Sequence, residues 1–359
     1  MKARLLLGLV TLLAVALPAR AALPRIGMQG PMTGSLAKQG QDMRNATRLA
    51  VDEAKAAGGP AAEILVGDDK GDPREGILAA RHLVTSGVLG VVGPYNSGVT
   101  IPVTAEVYAP AWVPVLTVST NPRVTDRGLK TVFRVIGRDD QQGLIAARES
   151  RKLGARTAAV LHNKNAYGQG LATEFRKAFE AAGGQVLFFD GVASGEKDFS
   201  ATLTRLRAGK PDLLYFGGEY QDAGPLLRQA RNLGIKARFL AGDATLDPTF
   251  VSLAGAKAAE GAMVTFPAPA AADFDRRYTA KFGPPGPYSG YAYDAARILL
   301  AAIKRARTPA PREVAQEIAR TRDFPGVTGK ISFDAKGDLT RAGFILWEVK
   351  GGKWAPAAL

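Results

Sequence analysis

From Arg25 onward the chain alternates short apolar runs with amphipathic stretches of helical period, and this alternation limits the fold more than any other feature. "RIGMQGP", "AEILVGDD", "LGVVGP" and "PVLTVS" read as strands. Between them, "LAKQGQDMRNATRLAVDEAKAAGG", "REGILAARHLVTSG" and "GVTIPVTAEVYA" read as helices. Gly58 and Gly59 stop the first helix. Pro102 is tolerable only near the first turn of the third, where its missing N–H costs least. Short apolar strands between such helices form βαβ units, and these require a parallel sheet covered on both faces.

The pattern then restarts. "TVFRVIG" is a strand-like crossing, and "TAAVLHN", "QVLFFDGV", "LLYFGGE" and "RFLAGDA" are strands separated by four more helical stretches. "AAGG" closes a helix before a strand at 56–59 and again at 181–184, an echo of two similar halves. Long helices and a hairpin-like end, "GKISFDAKGDLTRAGFILWEVKGGKW", complete the chain. Its 359 residues have room for two domains. No low-complexity tether separates them, so several short crossings join them, expected near 133–138, 264–268 and 338–344.

The first residues, "MKARLLLGLVTLLAVALPARAALP", read as an export signal. Lys2 and Arg4 precede an apolar stretch, Leu5–Leu17, that is too short for a stable membrane anchor. Ala19-Arg20-Ala21 fits a cleavage site, which places residues 1–21 in the signal and the mature start at Ala22, outside the cytoplasm. The chain has no cysteine, which excludes disulfides, thiol catalysis, Cys-held metals and a lipid anchor on cysteine. Two histidines, His82 and His162, cannot make a His-rich metal motif. The net charge of +14 is scattered along helices, a solvated basic surface and not a nucleic-acid footprint.

Polar turns follow two of the buried strands. "GVVGP" runs into Tyr95-Asn96-Ser97, and "PVLTV" runs into Ser119-Thr120-Asn121-Pro122. Strand carboxyl ends are where open parallel sheets bind ligands. Ser97 is placed to cap a helix from Gly98, whose N–H groups favour a carboxylate. Thr120 adds a hydroxyl. The pattern equally allows a plain cap and a plain turn. No enzyme constellation competes. "YGQGLA" lacks the third glycine of a dinucleotide loop, with Thr173 in its place, and neither a P-loop nor a Gly-x-Ser-x-Gly elbow exists. "GDDKGDP" clusters Asp68, Asp69 and Asp72 in what reads as a strand-end turn and helix cap, not a calcium loop.

Across nearly the whole mature chain the sequence resembles the leucine/isoleucine/valine-binding type of periplasmic binding protein from branched-chain amino acid ABC transporters. "GPMTGSLAKQGQDMRNATRLAVDEAKAAGG", "GDDKGDPREG", "GVVGPYNSGVT", "VLTVSTNPRVTDRG", "FRVIGRDDQQG", "AYGQGLATEFRKAF" and "GEKDFSATLTRLRAGKPDLLYFGG" carry the resemblance, in order. It implies two Rossmann-like α/β lobes with parallel sheets, three hinge crossings and a ligand cleft between the lobes. On this basis lobe 1 takes 22–135 and 267–340, and lobe 2 takes 136–266 and 341–359. The resemblance implies a monomer that binds an amino acid by hinge closure and delivers it to an inner-membrane ABC permease, without cofactor or metal. An exported sensor that binds amides or small acids shares the fold and is the alternative.

The resemblance also implies site residues. Ser97 and Thr120 would hold a ligand carboxylate, while the Val118 carbonyl, Thr120 and Asp243 would meet its ammonium. Tyr167 would cover the ligand, and Tyr95, Asn96 and Tyr288 would line the pocket. Three departures stand out. Gln39 replaces a tyrosine. Glu219 replaces an aromatic, unless a one-residue slip puts Tyr220 there. Asn96 and Gly71 take positions that carry a disulfide in some members. Gln39, Asn96 and Glu219 would make the side-chain end of the pocket more polar. Glu219 either pairs with a ligand cation or points to solvent at the cleft rim.

Overall fold

A computed structural model describes residues 23–357 of the chain; the signal expected at residues 1–21 lies outside them. Two sheets organise the protein. The first contains β1 (Arg25–Gly30), β2 (Glu63–Asp68), β3 (Val91–Val92), β4 (Val115–Thr117) and β5 (Val132–Arg134). These run in the order β2-β1-β3-β4-β5, all parallel. Beyond Arg25, β1 is entirely buried, as expected of a strand covered on both faces.

The second sheet contains β6 (Thr157–His162), β7 (Gln185–Gly191), β8 (Leu213–Gly217), β9 (Arg238–Ala241) and β10 (Met263–Phe266). Their order, β7-β6-β8-β9-β10, repeats the parallel topology of the first sheet. The restart in the sequence is thus a repeat of topology. A small hairpin follows, β11 (Phe324–Gly326) with β12 (Gly329–Ile331). The chain then returns to the second sheet, where β13 (Ile345–Lys350) adds antiparallel to β10 and β14 (Lys353–Pro356) closes the edge.

Three stretches pass between the two bodies: 135–138 after β5, 267–271 after β10 and 340–344 before β13. "TVFRVIG", read as a crossing, contributes β5 to the first sheet before the chain leaves it. Helix Ser289–Arg305 packs against helix Ala37–Ala56, which returns it to the first body. Helix Asp139–Lys152 packs against helix Ala166–Ala181 in the second. Among the described residues, no helix is long and apolar enough to cross a membrane.

Two local readings change. Ser97 does not cap its helix: it is the first helical residue of Ser97–Val103, and Asn96 holds the cap position without a side-chain bond. Pro102 sits inside that helix, not at its start. Its missing N–H interrupts the regular ladder, and the next five residues, Thr104–Tyr108, widen into a π-turn closed by Ala109 N–H to the Thr104 carbonyl. In "GDDKGDP", Asp72 caps helix Pro73–Thr85 by accepting from the N–H groups of Arg74 and Glu75.

Candidate functional site

The site grows from strand carboxyl ends. The turn after β3 carries Tyr95, Asn96 and Ser97, and the turn after β4 carries Val118, Ser119 and Thr120. Gly93 makes the first turn possible. Its φ of +96° and the 2.0 Å that would separate an added Cβ from the Gln29 carbonyl oxygen leave room for glycine only. Hydroxyl bonds lock the two turns together. Thr117 Oγ1 donates to the Pro94 carbonyl at 2.7 Å, and Ser119 Oγ donates to the Tyr95 carbonyl at 2.9 Å. Ser97 Oγ accepts from the Asn121 N–H across the same junction at 3.4 Å.

From the second body, Tyr167 follows β6, Glu219 follows β8 and Asp243 follows β9. Tyr288 arrives from the first body, just before helix Ser289–Arg305. These residues enclose a small, narrow cavity between the two bodies. Its lining includes nine of the ten residues expected from sequence: Tyr95, Asn96, Ser97, Val118 and Thr120 on one side, Tyr167, Glu219 and Asp243 on the other, and Tyr288. Ser119 and Ala244 add to the wall.

Asp243 is 2% exposed, and both its oxygens are engaged. Oδ1 accepts from the Tyr167 hydroxyl at 2.8 Å and Oδ2 from the Tyr288 hydroxyl at 2.7 Å. Gly242 permits this approach, because a Cβ there would lie 2.6 Å from Tyr167 Oη. Burial pushes the Asp243 carboxyl up, against the lowering effect of those hydrogen bonds. Tyr95 meets the Tyr288 ring edge-on at 5.0 Å, which stiffens the aromatic wall.

Glu219 does not point to solvent at the rim. It is 2% exposed and faces the cavity. Asn165 Nδ2 donates to both its oxygens, at 3.0 and 3.1 Å, and Asn163 Nδ2 donates to Oε2. Burial, and then the Asp222 carboxylate, push Glu219 up to about 7, against the bonds from Asn163 and Asn165. Tyr220, the one-residue alternative, is outside the cavity lining and turns its hydroxyl toward the Ser35 carbonyl at 3.3 Å.

Gln39 is placed differently from expectation. It is absent from the cavity lining because both ends of its amide are engaged across the cleft. Nε2 donates to Asp247 Oδ2 at 3.0 Å, and Oε1 accepts from the Tyr220 hydroxyl at 3.5 Å. Gln39 is a clamp between the two bodies. Asn96 lines the cavity, but its Oδ1 is turned toward Gly71, where an added Cβ would lie 3.4 Å away.

Sequence reasoning missed the support beneath the site. Arg134, at the end of β5, is fully buried. Its guanidinium donates to the carbonyls of Ser119 at 2.6 Å and Asn121 at 3.0 Å, the residues on either side of Thr120. It also binds Asp338 Oδ1 at 2.8 Å, while Arg138 reaches Asp338 Oδ2 at 2.8 Å. Burial alone would raise the Asp338 carboxyl; the two guanidiniums overcome this and hold it below its ordinary value. This ion cluster ties the first crossing to the segment that precedes the third. Asp139, one residue beyond Arg138, is fully buried, and burial pushes its carboxyl well up. The signal available in the sequence was charge inside apolar surroundings, "VFRVIGRDD".

Known proteins match this architecture along most of the chain. The model of a family described as periplasmic binding protein matches residues 24–353. A Leu/Ile/Val-binding protein homolog from Brucella abortus is 36% identical over 340 residues, 91% of either chain. A leucine-, isoleucine-, valine-, threonine- and alanine-binding protein from Pseudomonas aeruginosa is 35% identical over 335 residues, covering 90% of this chain and 89% of its own. Among solved structures, a leucine-binding protein from Thermotoga maritima superposes with a TM-score of 0.87 at 32% identity, covering 94% of this chain and 98% of its own. A branched-chain amino acid transporter substrate-binding protein from Streptococcus pneumoniae, in complex with isoleucine, gives 0.84 at 29%, covering 93% and 98%. With a family match over most of its length and relatives above one-third identity, the chain belongs to the periplasmic binding protein family, and it is a solute-binding protein, not an enzyme.

Proposed function

We propose that this protein is the amino-acid-binding component of an ABC importer, working in the periplasm and delivering its ligand to an inner-membrane permease. One observation carries the reading. A small cavity between two sheets of repeated topology has hydroxyl-bearing turns on one side and a buried carboxylate on the other. Ser97 and Thr120 suit an α-carboxylate, and Asp243 with the Val118 carbonyl suits an α-ammonium. Relatives named as binders of branched-chain amino acids support the same class of ligand.

In this reading lobe 1 comprises 22–135 and 267–340, lobe 2 comprises 136–266 and 341–359, and residues 1–21 are removed on export. The protein acts as a monomer. The ligand bridges the lobes, so its binding energy is realised only when they close, and this biases the hinge toward the closed form. No bond is made or broken. A calorimetric screen of the mature protein against the amino acids tests the proposal. Saturable binding of at least one, with its loss on Thr120→Ala, is expected; no binding of any amino acid overturns it.

A further inference from the structure

We propose that the ligand's side chain carries a cationic nitrogen that is received by Glu219, so that this pocket selects diamino acids over aliphatic ones of the same length. The proposal rests on the amino-acid reading above and narrows it. It starts from charge. The cavity lining holds two carboxylates, Asp243 and Glu219, and no lysine, arginine or histidine. An amino acid zwitterion brings one ammonium, which answers Asp243. Its carboxylate is answered by neutral donors. Glu219 is left over, on the same wall of the cavity as Asp243, in a place where an unpaired buried charge is costly.

The setting of Glu219 keeps its carboxylate within reach of a ligand. Its donors, Asn163 and Asn165, both come from the segment after β6. Both are neutral, so they orient the group without cancelling its charge. Of these side-chain bonds two reach Oε2 and only one reaches Oε1, and Glu219 lines the cavity. The charged neighbour on its own helix, Asp222, is also acidic, and Tyr95 faces it from the other lobe. Asp139, also fully buried, is pushed well up by burial and then by Asp243, and Arg134, which acts on it, is already bound to Asp338. The whole site therefore presents an excess of acid. In the empty pocket the excess at Glu219 is relieved by a proton, since burial raises its affinity for one to half-occupancy near pH 7. A ligand cation would replace that proton.

Two isosteric pairs test the idea: L-ornithine against L-norleucine, and L-lysine against L-2-aminoheptanoic acid, titrated calorimetrically into the mature protein. Each pair exchanges a terminal ammonium for a methyl group. At least one cationic member is expected to bind about tenfold or more tighter than its aliphatic partner, the worth of one charge-assisted bond. Glu219→Gln should abolish that preference. Asn165→Ala, which keeps the charge but loses its orientation, should narrow the preference, and a thermal melt establishes that each variant is folded. Equal or tighter binding of norleucine and 2-aminoheptanoic acid by the wild-type protein overturns this inference alone. Failure of every amino acid to bind overturns the amino-acid reading with it.

Discussion

Tyr288 donates its hydroxyl to Asp243 at 2.7 Å, and the two residues belong to different bodies of the protein. Tyr167, from the same body as Asp243, donates to the other oxygen at 2.8 Å. The acid is thus held by one donor from each side of the cleft. It is both a candidate ligand group and a closure contact, so changing it should affect recognition and closure together, while changing Tyr288 should affect closure more.

Asp243→Ala is expected to weaken amino acid binding by about 10–100-fold, from the roughly 1.5–3 kcal/mol of a hydrogen bond to a charged group. Tyr288→Phe keeps the ring and its edge-on contact with Tyr95 and removes only the hydroxyl. It should cost less, about tenfold or below. Titration calorimetry separates the two. Full affinity in Asp243→Ala would falsify the assignment of this acid to the site.

Arg134 supports Thr120 without lining the cavity, since its guanidinium binds the carbonyls on both sides of that residue. Arg134→Met removes one partner of a buried pair, a change that typically costs about 3–5 kcal/mol. Arg138 still compensates Asp338, so the lower end, about 3 kcal/mol, is expected. Urea denaturation measures the loss. Ligand affinity should fall as well, because the turn that presents Thr120 loses its donors. A stable variant with unchanged affinity would show that the turn holds itself.

The fold was legible because the strands are short, apolar and separated by helices of clear period. The candidate wall was legible where a residue directly follows a strand, as Ser97, Thr120 and Asp243 do. Gln39 was not, because its partner Asp247 lies 208 positions away and nothing local indicates which way a helix residue turns. Arg134 was passed over because one charge in an apolar strand does not announce its partner, here Asp338, 204 positions on. Asn96 was placed correctly on the wall, but its side-chain direction depends on the space left by Gly71. Contacts set by long-range closure of the chain leave little trace in local sequence.

The Gln39 clamp gives a prediction of its own. Its side-chain bonds lie between the lobes and outside the cavity. Gln39→Ala should therefore weaken all ligands alike, by about 10–100-fold, the range for a hydrogen bond of about 1.5–3 kcal/mol to a charged group, here the Asp247 carboxylate. The rank order of ligands should not move. A panel of amino acids titrated into both proteins checks this, and a changed rank order would return Gln39 to the pocket wall.

The last prediction concerns pH. Glu219 has an ordinary value of 4.5, raised to about 7 in the folded protein. Below pH 4.5 both folded and unfolded chains hold the proton, and the group contributes nothing. Between 4.5 and 7 the unfolded chain releases it while the folded chain keeps it, so stability falls as pH rises. Above 7 both are ionised and the loss is complete, about 3 kcal/mol for a shift of this size. Asp69, buried and also raised to about 7, adds a loss of the same sign, so the wild-type curve alone does not isolate Glu219. The difference between wild type and Glu219→Gln does. Glutamine resembles the protonated acid, so the two proteins should match near pH 4.5, and the variant should be the more stable by about 3 kcal/mol at pH 8. Urea denaturation at the two pH values, without ligand, measures it. A difference that does not grow with pH would mean that Glu219 ionises freely in the folded protein, and the excess of acid in the pocket would lose its cost.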